Sequence, residues 1–192
     1  SLDEANKPQP DGDEARREEV KKWSVDALKY RNSNQNDLAK EAIQRAISLS
    51  CDSDSNFGEI HDRAAGIFVK SMDYDTALSC ANRAIMSDPD NLNYYETKAY
   101  VLISKKFEMM KAERAGRQTD YDVYDVIAKQ ERETFQILLK KAQEANDQKW
   151  MEKAYDKLAS SYYWDAPQDR NLAVEYANKA VASMKERLGY CI

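Results

Sequence analysis

The sequence has little glycine, proline and cysteine, and it lacks a long apolar run. Five glycines and four prolines among 192 residues leave little material for the tight turns of a β-rich fold. No apolar stretch approaches the roughly 18 residues that cross a bilayer, and no secretory leader is recognised, so we expect no membrane association. The three cysteines, Cys51, Cys80 and Cys191, form no CxxC pair. An odd number of unpaired cysteines favours a reducing compartment, the cytoplasm, with the nucleus as the alternative.

Side chains that carry chemistry are equally scarce. His61 is the only histidine in the sequence, and no cysteine or aspartate stands at a spacing that would pair with it as a nucleophile. One histidine and three scattered cysteines do not supply the four ligands of a zinc site. The glycines are isolated from one another, so no phosphate-binding loop is predicted. We therefore expect no catalytic residue, no metal site and no cofactor, and we interpret His61 as a packing residue between helices.

The formal net charge is −5, but acidic residues are concentrated near the N-terminus. The first nineteen residues hold seven acids and three bases, so the rest of the chain is close to neutral. A neutral surface lacks the broad basic field that nonspecific nucleic-acid binding needs, which disfavours that function. Residues 1–14, with two prolines, a glycine and few apolar side chains, are predicted to be a disordered acidic lead-in. The folded domain is expected to span residues 15–192.

What the sequence does contain is a repeated pattern of alanines and aromatics. Residues 58–91 place small side chains where two antiparallel helices would cross, and a proline stops the second helix. The positions that carry the pattern are His61, Ala64, Ala65, Phe68, Tyr74, Ala77, Ala81, Ala84 and Pro89. This spacing resembles the tetratricopeptide repeat, a helix-turn-helix unit of about 34 residues.

The same spacing recurs near residues 20–53 and near residues 148–188. The first copy contains Trp23, Ala27, Tyr30, Ala39, Ile43 and Ala46, and the last contains Tyr155, Leu158, Ala159, Tyr162, Ala173, Ala177 and Ala180. Three copies in one register distinguish a repeat array from a single alanine-rich hairpin. The resemblance therefore implies an all-α fold, a right-handed α-α solenoid of about four helical hairpins.

The third unit, near residues 92–146, departs from the pattern. It begins with Tyr95, Ala99 and Leu102 in register, but the expected turn is missing and the apolar helical spacing continues. We predict two helices of roughly 25 residues, each about 37 Å long. Ordinary repeat helices are shorter, so the outer halves of this pair are expected to project from the solenoid as an arm. Deleting residues 108–130 is then expected to leave the fold intact.

The resemblance implies a protein-binding scaffold or adaptor rather than an enzyme. In such solenoids the first helix of each unit lines the inner surface, where an extended peptide or a helix of a partner lies in the groove. Carrying the family's groove positions onto this sequence gives Arg31, Glu59, Asp62, Lys70, Tyr100, Tyr163 and Trp164 as candidate partner-binding residues. Tyr163 and Trp164 could instead form a hydrophobic lid on the last hairpin. RNA binding in a helical-repeat channel is the alternative function, because aromatic side chains could stack on bases.

The arm offers a second candidate surface. The basic residues Lys105, Lys106, Lys111 and Arg114 outnumber the acids along the end of the first long helix. They could dock an acidic partner protein or mediate self-association. Pairing of these bases with acidic side chains across the tip of the arm is the alternative.

One ligand of the family is disfavoured, the acidic C-terminal tail of heat-shock chaperones. Family members that bind it clamp its carboxylates with lysine, asparagine and arginine side chains. The corresponding positions of this sequence hold Ser24, Leu28, Arg63, Asn93 and Thr97. The lysines of that clamp are missing, so we expect no binding of a chaperone tail.

Overall fold

The computed structural model of the chain describes residues 12–189, and within that range it contains eight α-helices and no strand. The helices are α1 (Gly12–Asn32), α2 (Asn36–Leu49), α3 (Phe57–Lys70), α4 (Tyr74–Ser87), α5 (Leu92–Arg114), α6 (Tyr121–Glu144), α7 (Gln148–Asp165) and α8 (Arg170–Arg187). A short 3₁₀ helix, Pro167–Asp169, precedes α8. None of the helices described combines the length and the apolar composition needed to span a membrane.

Successive helices pair as four hairpins that stack into a right-handed solenoid, which confirms the predicted fold. The second helix of each hairpin packs against the first helix of the next hairpin. In addition, α1 contacts α3 and α3 contacts α5, so these first helices lie side by side. The surface formed by the first helices, α1, α3, α5 and α7, is the inner face of the solenoid.

Positive backbone angles at four residues make the tight turns between neighbouring helices. Asn34, Met72 and Asn146 have φ values of 57°, 58° and 51°, and Gly116 has a φ of 77°. Glycine and asparagine enter this left-handed region readily, whereas methionine enters it at a steric cost. The chain needs few glycines because asparagine takes that role at two of its turns.

Alanines at the helix crossings let the hairpins pack closely. Eight alanines of α1 to α4 are at most 1% exposed, namely Ala27, Ala39, Ala46, Ala64, Ala65, Ala77, Ala81 and Ala84. A second hydrophobic cluster joins α5, α6 and α7 through larger side chains, including Phe135, Leu138 and Leu158, with Tyr176 of α8 packed against it. A methyl side chain at a crossing allows two helix axes to approach, so the alanine register predicted from the repeat is confirmed in the first two hairpins.

The last helix departs from the predicted register. Ala173 is buried as expected, but Ala177, which the repeat pattern places in the core, is exposed. The corresponding alanine of α4, Ala81, is fully buried because α4 has neighbouring helices on both sides. The prediction for Ala177 is therefore wrong, since among the described residues no helix packs on the outer side of α8.

The boundary of the acidic lead-in also needs correction. Residues 1–11 lie outside the described residues, but residues 12–14 belong to α1. The helix extends to this point because Asp13 pairs with Arg16 and with Arg17, each at 2.7 Å, and because acidic side chains favour a helix N-terminus.

The arm projects less than its helix lengths predict. α7 is 18 residues long, and its end reaches the inner half of the arm. There Lys106 is buried between two carboxylates, and Ile127 is buried as well. Only the tip, residues 111–123, is mostly exposed. Deleting residues 108–130 would remove core side chains, which corrects the expectation that the fold would tolerate it.

Candidate partner-binding surface

Asp62 lies on the inner face, between α3 and α5. Its side chain is half-buried beside Thr97 of α5. Burial raises the pKa of the Asp62 carboxyl above its usual range, while a hydrogen bond from Thr97 opposes that shift. Its Oδ1 atom is buried and has no hydrogen-bond partner among the described residues. Because this atom is buried, it is not accessible to a ligand on the inner face.

Ser24 and Arg63, at two of the positions that correspond to the chaperone-tail clamp, contact each other within the chain. Arg63 Nη1 donates to Ser24 Oγ at 2.8 Å, which joins α3 to α1, and the same guanidinium pairs with Glu59. Ser24 is buried in this contact, whereas Glu59 is exposed. The arginine is thereby held by its own neighbours rather than presented to a carboxylate ligand.

Three further residues predicted for the groove lie on three different helices. Arg31 of α1 is half-buried over Gly66, where an added Cβ would lie 3.5 Å from the guanidinium Nη1. Lys70 at the end of α3 and Tyr100 in the middle of α5 are exposed. These side chains lie along the inner face without forming one cluster with Trp164.

Farther along the inner face a groove opens between α5 and α7, and we call it the α5–α7 groove. It encloses about 470 Å³. Its walls are formed by Ile103, Phe107, Met110 and Arg114 of α5 and by Lys157, Ser160 and Trp164 of α7, and its floor by Lys106, Tyr124, Glu131, Ser161 and Asp165. An ion pair between Lys153 and Glu96 bridges the two helices nearer their N-termini.

The floor of the α5–α7 groove is a buried ion cluster. The Lys106 ammonium pairs with the carboxylates of Glu131 and Asp165, and the Tyr124 hydroxyl donates to Asp165 Oδ1 at 2.7 Å. Burial raises the pKa of Glu131 above its ordinary range, and Lys106 opposes that shift. Burial and the hydrogen bond to Asp165 also raise the pKa of Tyr124. The cluster joins α5, α6 and α7 and gives the groove a fixed polar base.

The walls of the groove combine exposed aromatic rings with cations. Trp164 is 75% exposed and Phe107 is 55% exposed. Trp164 packs edge-on against Tyr163, with ring centroids 4.9 Å apart. Arg114 and Lys157 have no ion-pair partner among the described residues. Tryptophan, tyrosine and arginine grouped in a concave surface are typical of the residues that contribute most to protein binding.

Two of the basic residues predicted for the arm are engaged by acids of the same chain. Lys105 Nζ lies 2.9 Å from Asp75 Oδ1 at the start of α4. Lys111 Nζ lies 3.4 Å from a carboxylate oxygen of Glu108 and 5.4 Å from the centre of the Phe107 ring. Both pairs are partly exposed, and exposed pairs of this kind contribute little energy, so either lysine can exchange its partner.

The other two basic residues of the arm have opposite surroundings. Lys106 is buried in the floor of the α5–α7 groove, so its assignment to an exposed binding surface is wrong. Arg114 is exposed and lines the groove wall. The structure therefore places Arg114 in the same site as Trp164, which the sequence assigned to a separate surface.

The acidic floor of the groove was not predicted from the sequence, although the sequence contains a signal for it. Glu131 lies four residues after Ile127 and four before Phe135, in the buried stripe of α6. Lys106 likewise lies four residues after Leu102, in the buried stripe of α5. Opposite charges at core positions of two paired helices indicate a buried ion pair, because a lone buried charge would be too costly.

The only histidine has the surroundings of a packing residue, as the sequence analysis interpreted it. His61 is buried, its ring centroid lies 4.3 Å from that of Phe57, and neither ring nitrogen has a hydrogen-bond partner among the described residues. Burial lowers the pKa of His61 to about 4, and the positive charge of Arg83 adds to the shift. Within the described residues no cluster of histidine, cysteine and carboxylate side chains could hold a metal ion.

Comparison with known proteins shows a likeness of fold and no close relative. No family model and no curated protein sequence matches the chain. The crystal structure of MamA, a tetratricopeptide-type solenoid, superposes with a TM-score of 0.61 at 15% identity, over 89% of this chain and 81% of that one. A second MamA structure has a TM-score of 0.40 at 15% identity, over 91% of this chain and 97% of that one. Pseudomonas aeruginosa PilF has a TM-score of 0.36 at 16% identity, over 88% of this chain and 78% of that one. The described chain is therefore a tetratricopeptide-like helical solenoid.

Proposed function

We propose that this protein is a non-catalytic scaffold or adaptor that binds a peptide or a helix of a partner protein on its inner face. The observation that carries the proposal is the α5–α7 groove, where exposed Trp164 and Phe107 lie beside Arg114 and Lys157. The tetratricopeptide-like fold supports the same proposal, because stacked helical hairpins present extended concave surfaces to polypeptides.

The α5–α7 groove fits a segment in which a large apolar side chain is followed by a carboxylate. The apolar side chain would pack between the rings of Trp164 and Phe107, and its burial would contribute about 1.5 to 3 kcal/mol. The carboxylate would pair with Arg114 or Lys157. Because the ion pairs of the floor already hold α5 and α7 in place, binding would require little reorganisation of the groove.

One other feature would extend the contact along the inner face. Lys111 near the tip of the arm would exchange its weak pair with Glu108 for an acidic side chain of the partner.

The proposal is tested by capturing partners with matched variants. The baits are the wild-type protein, the double variant Phe107→Ala/Arg114→Glu, and the control Met86→Ala, whose side chain is 79% exposed on α4. Affinity purification from the native cell and mass spectrometry identify proteins held by the wild type and by the control but not by the double variant. Calorimetric titration of such a protein should then show at least about tenfold weaker binding to the double variant.

Two results would contradict the proposal. A partner that binds the double variant as tightly as it binds the wild type would exclude the α5–α7 groove as the site. Tight, salt-sensitive binding of single-stranded RNA in a fluorescence-anisotropy titration would favour the RNA-binding alternative instead. Circular dichroism of each variant shows that its helices remain folded.

A further inference from the structure

α8 and its C-terminal cap carry an apolar stripe that no described helix covers. The side chains of Val174, Ala177, Val181, Met184 and Leu188 are exposed, and they follow one another at spacings of three and four residues. This spacing places them in one line and allows a second helix to pack along it. Single exposed apolar residues are common on protein surfaces, whereas five in one line mark a contact surface.

The stripe borders a groove at the C-terminal end of the described stack, which we call the α7–α8 groove. One half, about 610 Å³, lies between Lys149 of α7 and Met184 of α8. The other half, about 310 Å³, lies between Trp164 of α7 and Val174 of α8. Val181 lies on the stripe between Met184 and Val174, so the two halves follow the same line of α8.

The solenoid itself shows what fills a groove in this position. α3 packs against both α1 and α2, and α5 packs against both α3 and α4. In each case the first helix of a hairpin occupies the groove of the preceding hairpin. The α7–α8 groove is the equivalent place on the last described hairpin, so a single amphipathic helix matches its shape.

The charges at the rim of the α7–α8 groove select the kind of helix. Lys149 and Lys157, which line the groove, and Lys185, which follows Met184 on α8, have no ion-pair partner among the described residues. Asp156 is the one acid without such a pair that lines the described part of this groove. A cationic rim around an apolar stripe is complementary to a helix whose own apolar stripe is flanked by glutamate or aspartate.

A second copy of the chain matches this surface poorly. The outer line of α1, at the opposite end of the stack, presents Glu18, Lys22, Val25 and Lys29, of which one is apolar. It would cover the stripe of α8 with charged side chains. Pairing of two α8 helices would bring two cationic rims together, and repulsion between like charges disfavours that contact.

We propose that the α7–α8 groove docks an amphipathic helix of a partner protein whose apolar stripe is flanked by acidic residues. This surface adjoins the α5–α7 groove, with which it shares Lys157, Ser160 and Trp164 of α7, and the inference rests on the proposed function only for the premise that the chain binds proteins. A scaffold with both surfaces holds one segment on its inner face and one helix at the end of its stack.

The test uses three labelled synthetic peptides of 18 residues, the length of α7. One has an apolar stripe with the spacing of α8 and glutamate flanks, the second has the same stripe with lysine flanks, and the third replaces the stripe with serine. Fluorescence anisotropy should show saturable binding of the glutamate-flanked peptide to the wild-type protein. The lysine-flanked peptide should bind at least about tenfold more weakly, and the serine peptide should not bind.

Variants of the full chain locate the binding site of that peptide. Val181→Asp, at a position 47% exposed on the stripe, should weaken the glutamate-flanked peptide by at least about tenfold. Val126→Asp, at a position 55% exposed on α6, is the matched control and should bind like the wild type. The double variant Phe107→Ala/Arg114→Glu should also bind normally, which separates this result from the test of the α5–α7 groove.

Three outcomes would overturn the inference. The first is equal binding of the glutamate-flanked and lysine-flanked peptides, which would remove the role of the cationic rim. The second is unchanged binding to Val181→Asp. The third is a wild-type dimer in sedimentation velocity that Val181→Asp dissociates, because the occupant of the groove would then be a second copy of the chain.

Discussion

Lys106 of α5 and Asp165 of α7 form a buried ion pair although 59 positions separate them in the sequence. Glu131 of α6 shares the same ammonium group, so one lysine joins three helices. The cluster contains two carboxylates and one ammonium in a place with little access to water. Removing one member of such a cluster leaves a buried charge without compensation, which destabilises the fold.

The substitution Lys106→Met is expected to lower the free energy of unfolding by about 3 to 5 kcal/mol, since it leaves two buried carboxylates facing each other. The control Lys111→Met removes a lysine of the same helix whose ion pair is exposed, and should cost less than about 1 kcal/mol. Urea unfolding followed by circular dichroism measures both values. Equal losses in the two variants would show that the Lys106 cluster is not a structural joint.

A pH dependence is predicted from His61. Its pKa is about 4 in the folded chain and near 6.5 in an unfolded one, so between these values the unfolded state binds the proton more tightly. The stabilising contribution of the neutral ring is complete above pH 6.5 and is lost as the pH falls toward 4. Between pH 7 and pH 4.5 the wild type should lose about 2.5 kcal/mol more stability than His61→Leu. Parallel stability profiles of the two proteins would contradict the prediction.

The start of α1 is predicted to depend on one contact with the loop between α2 and α3. Arg16 Nη1 lies 2.7 Å from Asp54 Oδ2 and donates to the Leu49 carbonyl at 2.9 Å, and the guanidinium lowers the pKa of Asp54 well below its usual range. Asp54→Asn should accelerate hydrogen exchange of amides 13–19 and leave the centre of α3 protected. Asp52→Asn, an exposed acid two residues away, is the control and should change neither region.

The arm is predicted to tolerate a short deletion and not a long one. Replacing residues 113–121 with a short glycine-containing linker removes exposed side chains and should leave the Tm within a few degrees of the wild type. Deleting residues 108–130 removes Tyr124 and Ile127, and should abolish cooperative thermal unfolding. Calorimetry distinguishes the two variants. A cooperative transition in the longer deletion would show that the inner half of the arm is independent of the core.

The hairpins were predictable from the sequence because their cause is local. Alanine at a crossing and asparagine at a turn act within one hairpin, so their spacing in the sequence indicates where the two helices cross and where the turn lies. The ion cluster is different: Lys106 and Glu131 stand in the buried stripes of α5 and α6, but its third member, Asp165, reaches them only because α7 is long enough. The sequence showed a basic stretch on a long helix, and basic stretches on long helices are exposed unless a distant element covers them.

The exposed part of the apolar stripe of α8 could not be predicted from the sequence, for a related reason. The apolar stripe of this helix is wide, and the sequence showed its width but not how many neighbours it has. Tyr176 and Ala180 pack against the preceding helices, whereas Val174 and Val181 remain exposed. Which part of a wide stripe is covered depends on the position of α7, which the pattern of one helix cannot determine.

The positive φ of Met72 predicts a substitution that would stabilise the fold without changing either groove. Its φ of 58° is one that the equivalent turns reach with Asn34 and Asn146, residues that adopt it at lower steric cost. The substitution Met72→Asn should raise the midpoint of urea unfolding and increase the free energy of unfolding by up to about 1 kcal/mol. Few contacts are lost, because the methionine side chain is exposed. A more stable version of the protein is therefore a single residue change away, at a turn that lines neither groove.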